Sequence, residues 1–352
     1  MKFREKQSIQ AAVCREKKSF RFLLGVSILL ALLGLSSCKR PASSIILDTD
    51  IGSSTDDLFA LQLLYHYIET ENVKLLGIIV DRENVENAHI VDVMNNYYKH
   101  ENIPIGLIQD GIKDPKVWID YKNLPNYTNE NGKPMFKKSS FDSYPEGYKI
   151  YRKLLSSQPD KSVKICSIGF LTCLSQLLQS QADEYSDMTG VELVRRKVSR
   201  IYIMGGVFGN ATEKTEYNFF QAIDYVLNFF SLLPANVEVI LSPGEVGDLI
   251  DYKVENVISD IDWTDTHPIK QVYLRCDVNT GQKMWDVLPI IHAVKGDDWF
   301  NLSPRGTVEV TPNAETRFTP NPKGNFRYQI PGDDKWAEKI FAEIKKSYGK
   351  NK

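Results

Sequence analysis

The chain has 352 residues, 42% hydrophobic and 25% charged, with 43 basic residues against 45 acidic ones and a formal net charge of −2. That length and apolar content exclude a disordered chain and suffice for one large core or two modest ones. The near balance of charge argues against nucleic acid as a principal partner.

Lys2, Arg4, Lys6, Arg15, Lys17, Lys18 and Arg21 flank the apolar run Phe22–Leu33. The run is too short for a membrane span and suits the apolar core of an export signal. It closes on Leu35-Ser36-Ser37-Cys38, which resembles a bacterial lipobox. The resemblance implies a signal peptide over 1–37, a lipid anchor on Cys38, a tether over 38–44 and a single domain over 45–350. The domain would then be exported and held at a membrane, on the periplasmic face or in the cell envelope. An ordinary cleaved signal or an uncleaved anchor would also take the bulk of the chain out of the cytoplasm. Beyond Cys14 and Cys38 only Cys166, Cys173 and Cys276 remain, too sparse and odd a set for a disulfide framework. No Cys/His spacing of the zinc type is present.

Ile45-Ile46-Leu47 reads as a short buried strand, followed by a Gly/Ser-rich turn and a helix starting at Leu58. Asp48, Asp50, Asp56 and Asp57 crowd this one strand-to-helix turn. At about 4 Å and an effective dielectric near 20, each like-charged pair would repel by roughly 4 kcal/mol. A hard divalent cation relieves that repulsion, and Ca²⁺ accepts oxygens from both sides of an irregular turn. The plainer reading, an acidic pair at a helix start, accounts for Asp56 and Asp57 but not for all four acids.

Val73–Val80 is the next strand, ending at Asp81-Arg82-Glu83-Asn84, with a helix from about Val85 to His100 and a strand over Ile103–Ile108. This rhythm predicts an α/β fold: a single-domain open, mostly parallel Rossmann-like sheet flanked by helices. From Gln109 to Pro145 the pattern gives way to a long loop bearing Trp118, Tyr121, Tyr127, Phe136, Phe141 and Tyr144. Such a loop serves as a lid or partner surface, or packs on itself as an Ω-type loop. A helix over Glu146–Ser156, strands over Val163–Gly169, Ser199–Gly206 and Val237–Ser242, and a helix over Trp285–Val294 follow. Gly306–Ile330 alternates like an antiparallel hairpin, and Lys335–Tyr348 closes the chain as a helix.

Ligands of open α/β sheets sit outside the carboxyl ends of the strands. The residues after each strand are Asp48, Asp50, Asp56 and Asp57; Asp81 and Asn84; Thr172; Gly205, Gly206, Asn210, Glu216 and Asn218; Ser242 and Glu245; and, at the head of a late helix, Asp286. A rim of carboxylates and amides suits a metal and a polyhydroxylated ligand.

These segments resemble the inosine-uridine-preferring nucleoside hydrolase family. Asp48-Thr49-Asp50-Ile51-Gly52 with Asp56-Asp57 is similar to its N-terminal aspartate cluster in a longer-turn form. Met204-Gly205-Gly206, Asn210 and Glu216-Tyr217-Asn218 resemble its Met-Gly-Gly and Glu-Phe-Asn segments, and Gly169-Phe170-Leu171-Thr172-Cys173 its Gly-Pro-Leu-Thr-Asn. Ser242–Gly247 and Trp285-Asp286 are similar to a less studied branch. The likeness runs from about Ser44 to Tyr328.

The resemblance implies calcium-dependent hydrolysis of the N-glycosidic bond of a ribonucleoside or related N-riboside. One Ca²⁺ per chain would be held by Asp50, Asp57, the backbone carbonyl of Thr172 and Asp286, with Asp50 doubling as the general base toward water. Asp56, Asn84, Asn210, Glu216 and Asn218 would grip the ribose, Trp285 would lie near the leaving group, and Asp48 would support the turn from behind the ligands. A homo-oligomer is favoured by the same likeness. The chain departs from the family pattern at Ser54, where the long turn usually carries an acid, at Phe170 and Cys173, and at Trp285, where a His protonates the departing purine. A lid residue such as Tyr121 or Tyr127 could replace that acid.

Two other readings compete. A lipid-anchored sugar or nucleoside binder would keep the pocket without turnover. A haloacid-dehalogenase-type phosphatase would use Asp48 and Asp50, but that leaves Asp56, Asp57, Glu216 and Asn218 without a role.

Overall fold

The computed structural model describes residues 43–112, 115–209, 215–276, 278 and 281–348. The export signal, Cys38, the tether up to Ala42, and Asn210 lie outside the described residues.

The strands are β1 (Ser43–Thr49), β2 (Val73–Val80), β3 (Ile105–Leu107), β4 (Val163–Ser167), β5 (Val198–Met204), β6 (Glu238–Ser242), β7 (Asp251–Tyr252), β8 (Gln282–Lys283), β9 (Asn301–Leu302), β10 (Gly306–Val310), β11 (Thr316–Pro320) and β12 (Phe326–Ile330). The helices are α1 (Asp56–Thr70), α2 (Val85–Tyr97), α3 (Gly147–Ser156), α4 (Thr172–Gln179), α5 (Gly190–Lys197), α6 (Tyr217–Gln221), α7 (Ile223–Leu232), α8 (Gly244–Gly247), α9 (Val254–Asp260), α10 (Pro268–Arg275), α11 (Val287–Lys295) and α12 (Asp334–Ser347).

The main sheet runs β11-β10-β12-β6-β5-β4-β1-β2-β3. Its pairings from β12 to β3 are all parallel. β1 lies between β2 and β4, and Ile45, Ile46 and Leu47 are fully buried. A strand covered on both faces needs a continuous apolar run rather than an alternating one, and each such side chain contributes roughly 1.5–3 kcal/mol by leaving water. The chain leaves β1 toward β2 and β3, then returns to β4, β5 and β6 on its other side. The strand order therefore reverses between β1 and β4, which opens a crevice at their carboxyl ends.

Helices meet the sheet where the sequence requires. α1 begins at Asp56, two residues ahead of its apolar run, so Asp56 and Asp57 stand in its first turn. α11 packs on α1, β4 and β5, and Asp286 is its N-cap residue. α5 opens with a capping box in which Thr189 and Glu192 satisfy one another's backbone N–H groups. The tail is more than the hairpin its alternation suggests. β10 and β11 pair antiparallel, but β12 joins β6 in parallel, Phe326 opposite Val239, and so extends the main sheet.

Among the described residues of the long loop, Tyr121, Tyr127, Phe136 and Tyr144 are buried, whereas Trp118 and Phe141 stand exposed. The loop contains a 3-10 turn over Leu124–Asn126. The Ile119 N–H donates to the Ser53 carbonyl at 2.7 Å, and the Trp118 N–H donates to Ser53 Oγ at 3.1 Å.

Candidate active site

The acidic turn is held from three sides. Gly52 has φ +121°, and a Cβ there would fall 2.2 Å from Asn87 Oδ1, so only glycine fits. Behind the turn, a Cβ on Gly169 would lie 2.6 Å from the Asp50 nitrogen, which is how β4 brings its exit so close to that of β1. From the long loop, the fully buried Tyr121 hydroxyl accepts from the Gly52 N–H at 3.0 Å and donates to the Ser54 carbonyl at 2.6 Å. Tyr121 is thus structural and not a free proton donor, which corrects the expectation of a lid acid there. Tyr127 is buried too, its hydroxyl 3.3 Å from Cys276 Sγ.

Asp56, Asp57 and Asp286 each bring one carboxylate oxygen to within 4.8 Å of the others, and all three are buried. Two helix N-termini, those of α1 and α11, present their positive ends to this trio. Ser54 Oγ donates to Asp56 Oδ1, Thr49 Oγ1 donates to Asp57 Oδ1, and the Asp286 N–H donates to Asp56 Oδ2 at 3.3 Å. Burial pushes Asp56 up to about 6 and holds Asp57 and Asp286 well above the usual carboxylate range, with mutual repulsion adding to the last two. Three buried carboxylates with little positive charge among them fit a hard divalent cation.

Asp50 lies close enough to the trio for its charge to act on Asp56, Asp57 and Asp286. It is not one of the converging trio, whose third member beside Asp57 and Asp286 is Asp56. Its Oδ2 accepts from Arg82 Nη2 at 3.1 Å, and its backbone carbonyl accepts from Arg82 Nε at 2.9 Å. Burial pushes Asp50 up to about 6, with Arg82 pulling it down.

Behind the trio, Asp48 accepts from Tyr151 at 2.7 Å and from Ser167 at 3.3 Å. Burial and the neighbouring Asp81 raise it well above its ordinary value. Asp81 Oδ1 in turn accepts from the Thr172 hydroxyl at 2.7 Å and the Cys173 N–H at 2.9 Å. Thr172, fully buried, opens α4 after Leu171 turns the chain with φ +60°. Glu216 caps α6, accepting from the backbone N–H of Asn218 at 2.8 Å and of Phe219 at 3.1 Å, and burial lifts it to about 7. Asn218 is buried and donates to the Ile168 carbonyl at 3.3 Å. Trp285 donates its indole N–H to Asp248 at 3.0 Å. Asn84 is exposed and spends its side chain capping α2 through the Glu86 N–H, a local role that separates it from the buried acids.

The model of the family described as inosine-uridine preferring nucleoside hydrolase matches residues 45–317. The chain belongs to this family. A plant nucleoside hydrolase superposes with TM-score 0.65 at 15% identity, covering 88% of this chain and 99% of its own. A purine-preferring ribonucleoside hydrolase from Gardnerella vaginalis gives 0.63 at 14%, covering 87% and 99%. The inosine-uridine preferring nucleoside hydrolase from Bacillus anthracis gives 0.62 at 18%, covering 86% and 99%. These likenesses establish the shared fold. No curated protein matches the chain in sequence.

As a nucleoside hydrolase the protein is a hydrolase acting on N-glycosyl bonds, its acidic cluster at the crevice where this α/β fold takes its ligand. Two polar residues at the cluster were absent from the sequence-based site. Gln282 donates to Asp56 Oδ1 at 3.3 Å and accepts from Thr55 Oγ1 at 3.1 Å. Arg82 follows the carboxyl end of β2, so the strand-end rule reached its neighbours Asp81 and Asn84 but passed over it because arginine is most often solvated.

Proposed function

We propose that the protein hydrolyses the N-glycosidic bond of a ribonucleoside or related N-riboside in a calcium-dependent reaction that yields ribose and free base. The observation that carries this reading is the convergence of the buried carboxylates Asp56, Asp57 and Asp286 at the crevice. Asp50, Asp57, Asp286 and the Thr172 carbonyl would hold Ca²⁺, with Asp56 beside them toward the ribose; when bound, the ion would supply Lewis-acid activation of the attacking water.

The chain's own groups divide the remaining work. Arg82 engages Oδ2 of Asp50, so the water proton passes to Oδ1 as its oxygen bonds to the anomeric carbon. The C–N bond breaks as this bond forms, its electron pair going to the base, which takes its proton from solvent. Positive charge grows on the sugar in that transition state, and a pocket walled by carboxylates favours it over the neutral ground state. Glu216, Asn218 and Asn210 would grip the ribose hydroxyls. For Glu216 and Asn218 the support is burial beside the acids, against which stands their engagement with backbone groups.

Lipidation at Cys38, export to a membrane-facing compartment and homo-oligomerisation belong to the same proposal and rest on the lipobox and the family likeness. Among the described residues no helix is long and apolar enough to cross a membrane, so anchoring would fall to the N-terminal segment.

The deciding experiment is reducing-sugar release from purine, pyrimidine and nitrophenyl ribosides, with calcium and with chelator. Calcium-dependent release is expected. Binding of ribose without release from any riboside would favour a binding lipoprotein, a reading that Trp285 motivates because its N–H is spent on Asp248.

A further inference from the structure

The cations of this chain are unevenly placed. Nine basic and two acidic residues precede Ser43, so the domain that follows has 34 basic residues against 43 acidic ones, a net charge of −9. Exposed cations nevertheless gather where the parallel strands begin. Ser43 of β1 lies opposite Val73 of β2, Ser44 opposite Val163 of β4, and Val163 opposite Val198 of β5. Lys74, Lys161, Arg195 and Arg196 stand at or just ahead of these starts, and all four are exposed. The Lys161 N–H donates to the Arg196 carbonyl at 2.9 Å, which joins two of the segments directly. Of the acids at this end, Asp160 pairs with Arg196 and Lys197, Glu71 with Lys295, and Glu238 with Arg200 and Arg305. Toward β3 the charge is diluted, Lys99 standing with Glu69 and Glu101. Cations in the last turn of α5 also complement its helix dipole, but Lys74 and Lys161 lie outside any helix.

Chain length limits which end of the sheet can meet a membrane. β1 has seven residues and rises about 20 Å from Ser43 to the acidic turn. Cys38 lies five residues before Ser43 and reaches at most about 18 Å from it when fully extended. A lipid on Cys38 could not bring the carboxyl ends of the strands down to a bilayer, whereas it holds their amino ends close to one. We propose that the amino-end face of the sheet is a lipid-docking surface, on which Lys74, Lys161, Arg195 and Arg196 meet anionic phospholipid headgroups while the crevice opens away from the membrane. The inference rests on the proposed lipidation of Cys38 and is independent of the hydrolysis. An acidic domain is repelled by an anionic bilayer unless it turns its basic face inward, and each Lys or Arg near such a surface strengthens binding about fivefold.

The test is lysine labelling with a membrane-impermeant amine reagent, read residue by residue by mass spectrometry. It compares the lipidated protein in vesicles of phosphatidylethanolamine and phosphatidylglycerol with the chain from Ala42 onward, compact by itself, free in solution. Lys74 and Lys161 are expected to react at least about fivefold more slowly on the vesicles. Lys116, whose carbonyl accepts from Ser53 at the acidic turn, should react at an unchanged rate. R195E/R196E should cut the protection to about twofold or less at unchanged thermal stability, and about 0.5 M salt should do the same to the wild type. Equal reactivity in both settings, or protection of Lys116 instead, would overturn the proposal. So would protection that survives both the variant and the salt, since the tether alone would then set the orientation. If R195E/R196E does not fold, the salt series decides. Absence of lipid on Cys38 would count against the anchoring reading. Sedimentation of the chain from Ala42 onward with the same vesicles then judges the face, and failure to bind overturns the proposal as well.

Discussion

The Tyr121 hydroxyl donates to the Ser54 carbonyl at 2.6 Å while accepting from the Gly52 N–H, so one side chain of the long loop closes both polar ends of the acidic turn. Tyr121→Phe keeps the ring and strands two buried backbone groups. The expected cost is about 1–3 kcal/mol of stability, with weaker calcium binding because the turn that orients Asp56 and Asp57 loosens. Urea unfolding and calcium titration on the same variant check this. Unchanged values for both would mean that the loop merely covers the turn.

Trp285 directs its N–H to Asp248 at 3.0 Å and packs against Gly247, where a Cβ would meet the indole at 2.1 Å. With an indole where the family pattern has a protonating His, release of a poor leaving group lacks its acid. Nitrophenyl ribosides, which depart without a proton, are therefore expected to be cleaved faster than inosine. Trp285→His should raise kcat on purine nucleosides by about 10²-fold or more and leave nitrophenyl substrates nearly unchanged. Comparing the two substrate classes on both proteins measures it, and equal gains on both would point to relief of crowding instead.

The strands that build the crevice were legible because parallel, doubly covered strands must be apolar throughout, as in Ile45-Ile46-Leu47 and Ile201-Tyr202-Ile203-Met204. The crevice itself followed from chain order. What escaped was non-local. β12 alternates like a hairpin arm, and nothing near it in sequence announces a parallel partner more than eighty residues earlier in the chain. Arg82 escaped for a related reason: its burial depends on Phe170, Tyr217 and Asp50 arriving from three other segments. Asn84 was legible as a strand-end amide, yet its side chain answers a closer demand, the uncapped Glu86 N–H.

Protons and the cation compete for the same oxygens. Asp50 and Asp56 are pushed up to about 6 by burial, and burial with mutual repulsion holds Asp57 and Asp286 well above the usual carboxylate range. A carboxyl whose folded pKa exceeds its unfolded value contributes stability below the unfolded pKa, near 3.8, and loses that contribution as pH rises through the folded value. The chelated protein is therefore expected to lose this part of its stability between about pH 4 and 7, while calcium restores it. The gap in Tm between calcium and chelator should widen from pH 5 to pH 7.5, and calcium binding near pH 6 should release protons, detected as a buffer-dependent binding enthalpy. A gap constant with pH would rule out shared oxygens.

His267 supplies an opposite slope far from the crevice. It is buried, its Nε2 lies 3.0 Å from the Tyr98 hydroxyl, and Nδ1 has no partner among the described residues. Burial, with Lys270 adding repulsion, lowers it from 6.5 to about 3. Between those values the unfolded chain binds a proton that the folded chain refuses, so stability falls as pH drops below 6.5, by up to about 1.4 kcal/mol per pH unit. His267→Gln removes that titration and keeps a polar group near Tyr98. Its stability at pH 7.5 should be somewhat below wild type, but the acid-side decline between pH 6.5 and 4.5 should be shallower. Urea unfolding with chelator present, at both ends of that window, isolates the slope, because the acidic cluster contributes equally to both proteins. Parallel declines would show that His267 takes up its proton in the folded state, with Nδ1 finding a partner that the resting arrangement does not offer.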